Sequence, residues 1–94
     1  MKELYDAAGE MKSRVISEGI RIIDSAIEIR RIQRMTVEGW ETSHFSLLLF
    51  SDPHVWLLTN GRIYASWLDD ELILHFSDEE MERVREIHGY LEEW

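Results

Sequence analysis

The chain has 94 residues, 45% hydrophobic and 31% charged, which suits one folded domain with one core and excludes a disordered segment. Zero cysteines exclude disulfides and thiolate chemistry, and a net charge of −9 argues against ordinary nucleic-acid binding, because such a surface repels phosphates. No apolar run approaches the roughly 20 residues of a membrane span and no secretory leader opens the chain, so a cytoplasmic protein is expected.

The charge is uneven. Residues 1–50 carry 8 acids and 7 bases, whereas residues 51–94 carry 11 acids and 3 bases. The second half could attract a basic partner, although carboxylates also simply keep a small protein in solution.

In chain order, the first segment reads as a long amphipathic helix. At 100° per residue Leu4, Ala8, Met11, Val15, Ile16, Ile22, Ile23, Ala26, Ile27 and Ile29 share about half of the circumference. The pattern fails after Ile29, where Arg30 and Arg34 would point into the apolar arc. A rival reading therefore makes residues 20–37, rich in isoleucine, a strand and leaves only residues 2–18 helical. The cluster "RRIQR" at 30–34 fits cations at a helix C-terminus.

Residues 35–43 read as a connection or a short edge strand, and "HFSLLLF" at 44–50 reads as a full strand ended by Ser51-Asp52-Pro53. Asn60-Gly61 predicts a two-residue type I′ hairpin turn, and Asp69-Asp70 a weaker turn. The expected fold is α+β: a long N-terminal helix, a four-stranded antiparallel meander and a C-terminal helix, in one domain over residues 1–94. Ser77 and Glu80 form a capping-box signature at the start of that last helix, whose stripe is Met81, Val84, Ile87 and Leu91.

Counting from two-residue turns pairs Thr59 with Arg62. It assigns Leu48, Phe50, His54, Trp56, Leu58, Ile63, Ala65, Trp67, Leu72, Leu74 and Phe76 to the face packed on helices. The other face then holds Phe45, Leu47, Leu49, Val55, Leu57, Arg62, Tyr64, Ser66, Ile73 and His75. If both helices lie on one face, this second face needs a second chain, since soluble monomers rarely expose so large an apolar patch. A homodimer is expected, with Phe45, Leu47, Leu49, Val55, Leu57, Tyr64 and Ile73 as its contacts. The carboxylates Asp78, Glu79, Glu82 and Glu86 are candidates for meeting an unknown basic protein.

Catalytic patterns are sparse. There is no H-E-x-x-H, no G-x-S-x-G elbow and no glycine-rich phosphate loop, so neither a metal nor a cofactor is expected. Arg62, Tyr64 and His75 form the polar trio at which a small pocket would be sought, and cross-strand pairing accounts for it equally well. The leading expectation is a non-enzymatic interaction module of adaptor, chaperone or inhibitor type. The alternatives are a small enzyme or ligand-binding protein at Arg62, Tyr64 and His75, or an acidic nucleic-acid mimic that blocks a basic protein.

Overall fold

The computed structural model describes residues 2–94. It runs through helix α1 (Lys2–Glu18), a 3-10 stretch (Gly19–Ser25), strands β1 (Glu28–Thr36), β2 (Gly39–Ser51), β3 (His54–Leu58), β4 (Arg62–Trp67) and β5 (Asp70–His75), and helix α2 (Met81–Glu92). The strands form one antiparallel sheet in sequence order. The α+β architecture is as expected, with five strands where four were counted. The extra strand is β1.

Leu4, Ala8, Met11 and Val15, buried at helical spacing, give α1 its packed stripe. The helix ends at Gly19, whose φ of +57° is a left-handed conformation that an α-helix does not contain. The isoleucines beyond it therefore do not continue the wheel. Ile22 and Ile23 are buried by the 3-10 stretch, and the segment from Glu28 onward extends. The misfit of Arg30 and Arg34 on the helical wheel was the signal for this. In a strand Ile29 and Arg31 fall on one face and Arg30 and Ile32 on the other, and both arginines stay exposed, Arg30 over the Trp56 ring and Arg31 over the Phe45 ring.

The C-terminal helix starts as its sequence signature predicts. The Ser77 N–H donates to the Glu80 carboxylate at 2.7 Å, and the Glu80 N–H donates to the Ser77 hydroxyl at 3.3 Å. Val84, Ile87 and Leu91 are its buried stripe. Lys12 of α1 reaches the same Glu80 at 3.3 Å and lies 5.6 Å from the Phe76 ring centroid, tying the two helices at this end.

Both helices pack on the same side of the sheet. Their stripes join Phe45, Leu47, Leu49, Val55, Leu57, Ile63 and Ala65 in one core cluster. Each of the fully buried leucines and isoleucines contributes about 1.5–3 kcal/mol relative to exposure. Among the described residues no helix is long and apolar enough to cross a membrane.

This core corrects the counted register. The β3–β4 connection holds three residues, Thr59, Asn60 and Gly61, so that Leu58 rather than Thr59 pairs with Arg62. Gly61 takes φ +108°, a backbone conformation that favours glycine, and a Cβ there would meet Met81 Sδ at 2.9 Å, at the end of a flexible side chain. The one-residue slip exchanges the faces of β2 and β3 relative to β4. Leu48, His54, Trp56 and Leu58, expected in the core, fall on the face away from the helices, where Leu48 is nonetheless buried. Phe50 lies at a bulge in β2 and is exposed. Trp67 is also outside the core, paired with Asp70 at the end of the sheet. The last hairpin turns at Leu68-Asp69, one residue earlier than expected.

Candidate interaction surface

The face without helices is ordered by the pairing register into three rungs. The middle rung is Glu28, Leu48, Trp56, Tyr64 and Ile73 across all five strands. On one side of it lie Arg30, Ser46, Leu58, Arg62 and His75. On the other lie Ser51, His54, Ser66 and Glu71. Its charged members are two acids and two bases, which cancel, so none of the chain's net charge of −9 resides on these rungs. Segments 2–25 and 77–94, by contrast, hold twelve acids and six bases.

The side chains on this face are amphipathic rather than aliphatic. The Arg30 guanidinium lies 5.0 Å from the Trp56 ring centroid and pairs with Glu28 at 3.0 Å. It shelters part of the indole from water while remaining largely solvated itself. The Glu71 carboxylate beside the Tyr64 phenol, with some burial, holds its pKa above the ordinary tyrosine value. Ile73 in the middle rung is 46% exposed.

Of the residues expected at a partner contact, Tyr64 and Ile73 are on this open face. Phe45, Leu47, Leu49, Val55 and Leu57 are not: all five are at most 5% exposed and packed beneath the helices, a consequence of the three-residue turn. The acidic candidates Asp78, Glu79 and Glu82 are on or beside the first turn of α2. Glu86 pairs with Arg83 at 3.3 Å. A cavity of about 390 Å³ lies near there, lined by Ile16, Glu79, Glu80, Glu82 and Arg83. Of the polar trio, Arg62 and His75 face each other across β4 and β5, whereas Tyr64 pairs with Ile73 and lies beside Glu71. The cavity is lined by none of the three. Among the described residues no three histidine, aspartate or glutamate side chains converge as a metal would need.

One polar constellation was not foreseen. The Phe45 N–H donates to Thr59 Oγ1 at 2.8 Å, Thr59 Oγ1 lies 2.8 Å from His88 Nδ1, and His88 Nε2 lies 2.7 Å from Glu92 Oε1. With the imidazole proton on Nε2, donated to Glu92, Nδ1 accepts from the Thr59 hydroxyl, and all of these protons are used. The composition is that of an acid–base–hydroxyl relay, but the geometry is that of a clasp. Thr59 is 5% exposed and its hydroxyl is bonded on both sides, so no reacting carbonyl could approach it. The Phe45 ring stands edge-on to His88 at 5.3 Å and completes the joint between α2 and the sheet. His44 is also near this joint. Burial first, then the charges of His88 and Arg62, lower its pKa below that of an ordinary histidine.

Comparison of the chain with protein-family profiles, with curated proteins and with solved structures finds no match.

Proposed function

We propose that the chain is a non-enzymatic protein-interaction module that associates with itself through the uncovered face of its sheet. One observation carries this reading: both helices lie on one side, leaving Trp56, Leu58, Tyr64 and Ile73 partly exposed on the other, beside the more buried Leu48, contiguous across four strands. A sheet face of this composition gains free energy by leaving water, and the absence of net charge on its rungs removes the repulsion that approach from the helix side would meet.

A catalytic reading at Arg62, Tyr64 and His75 gains no support, since they lie along a sheet surface and Tyr64 pairs with Ile73 rather than with the other two. The carboxylates of α2 act in this proposal as a solubilising layer. Attraction of a basic protein to Asp78, Glu79, Glu82 and Glu86 remains a weaker reading, supported by the excess of acids in segments 2–25 and 77–94.

Light scattering after size exclusion at micromolar concentration tests the proposal. The expected mass is about twice 11.2 kDa for the unaltered chain. Trp56→Arg is expected to elute at the single-chain mass while keeping its circular dichroism spectrum. A single-chain mass for the unaltered protein at every concentration would sink the reading.

A further inference from the structure

The three rungs also specify how a second copy must sit. This step rests on the reading of the open face as a self-association surface. The middle rung is apolar except at its β1 end, where Glu28 is already paired with Arg30. The rungs beside it differ in sign. One carries Arg30 and Arg62 with His75; the other carries Glu71 with His54 and Ser66.

Two sheets packed face to face by a two-fold axis have two simple arrangements. If the axis runs parallel to the strands, β1 lies over β5 of the second copy and each rung lies over its own equivalent. Arg30 then meets His75, and Glu71 meets no base. If the axis runs across the strands along the middle rung, each strand lies over itself in the reverse direction. The middle rung then packs on its counterpart, Trp56 near Trp56, and the basic rung of each copy lies over the acidic rung of the other. His75 of one chain then lies over Glu71 of its mate, and Arg62, one strand away over Ser66, lies diagonally beside that carboxylate, twice, by symmetry.

We infer that the protein forms an isologous dimer about a two-fold axis crossing the strands at the Leu48–Trp56–Tyr64–Ile73 rung, with His75 of each copy over Glu71 of the other and Arg62 diagonally beside that pair. Charge complementarity selects this arrangement over the parallel axis. The area is also sufficient. Five strands at a spacing of about 4.8 Å and three rungs about 7 Å apart, with the reach of their side chains, give roughly 500 Å² per copy. This is the lower end of stable interfaces, so association in the micromolar range is expected.

Charge exchange at the rim tests the register. Arg62→Glu alone places two carboxylates at each rim contact, and Glu71→Arg alone places two guanidinium groups there. Each single variant, shown to be folded by circular dichroism, should dissociate at least about tenfold more readily than the unaltered chain in sedimentation equilibrium. Mixed in equal amounts, the two variants restore both contacts, and the dimer mass should return. The double variant carrying both changes should likewise dimerise alone.

Single variants as dimeric as the unaltered chain, with Trp56→Arg monomeric, would overturn the register while leaving the self-association reading intact. Single variants that dissociate but fail to recombine on mixing would also overturn it. An unaltered chain that never dimerises, or Trp56→Arg as dimeric as the unaltered chain, would remove both the register and the reading beneath it.

Discussion

The two faces of one sheet are built from different kinds of apolar residue. Beneath the helices are Leu47, Val55, Leu57, Ile63 and Ala65, all at 0% exposure. On the open side are Trp56, Tyr64, Arg30, Arg62 and two histidines, with Leu48, Leu58 and Ile73 between them. Aliphatic chains have no polar atom to leave in water, so they fill the side that is closed permanently. Indole, phenol, imidazole and guanidinium groups combine an apolar body with a polar tip. They suit a surface that must be stable in water before a partner arrives and still release apolar area when it does. The difference teaches that two apolar sheet faces need not be two cores.

The largest effect expected from this contrast is at Leu57. Leu57→Arg places an unpaired charge in the closed interior, which costs several kcal/mol against a total stability of about 5–15 kcal/mol. The chain should lose its cooperative thermal transition, whereas Trp56→Arg, one residue away on the other face, should shift stability by only about 1 kcal/mol. Equal damage at the two positions would erase the distinction between the faces.

An intermediate effect is expected at the clasp. Thr59→Val keeps the volume but leaves the Phe45 N–H and His88 Nδ1 without their partner, at a cost of about 1–3 kcal/mol. Urea denaturation measures it. A silent substitution would mean that the three-residue turn, and with it the assignment of faces, does not depend on this joint.

The smallest effect is that of pH. The pKa of His44 is lowered from 6.5, chiefly by burial, so folding favours its neutral form. Its contribution is present above about pH 6.5 and is lost as the pH falls through the lowered value. Glu18, bonded by Arg14, and Glu80, bonded first by the Ser77 N–H and then by Lys12, are lowered from 4.5. Their contributions are present above about pH 4.5 and are lost below it. The denaturation midpoint should therefore fall in two stages on acidification, and His44→Gln should flatten the first. An unchanged first stage in that variant would assign it to other groups.

Much of this was legible in the residues themselves. The capping box at Ser77 and Glu80 is local chemistry and appears as read. So do the stripe of α2 and, as far as Val15, that of α1, whereas Ile22 to Ile29, read as its continuation, lie beyond the helix. The face of β2 and β3 was not legible, because the register at Asn60-Gly61 is coupled to bonds from Thr59 to residues 14 and 29 positions away. Turn chemistry alone favours two residues there. Similarly, Ile22 and Ile23 continue a helical wheel in sequence, and only the left-handed Gly19 shows that the helix has ended. No spacing rule connects Thr59 to His88, so the clasp had no signal at all.

The separation of charge across the thickness of the molecule has a practical consequence. Segments 2–25 and 77–94 hold six more acids than bases, while the rungs on the opposite side hold none in excess. A positively charged support, such as an anion-exchange bead or an amine-coated sensor chip, therefore adsorbs the protein by its helices. A dimer joined through its sheets is then held by the helices of one copy and presents the helices of the other, whereas the monomeric Trp56→Arg variant displays its sheet outward.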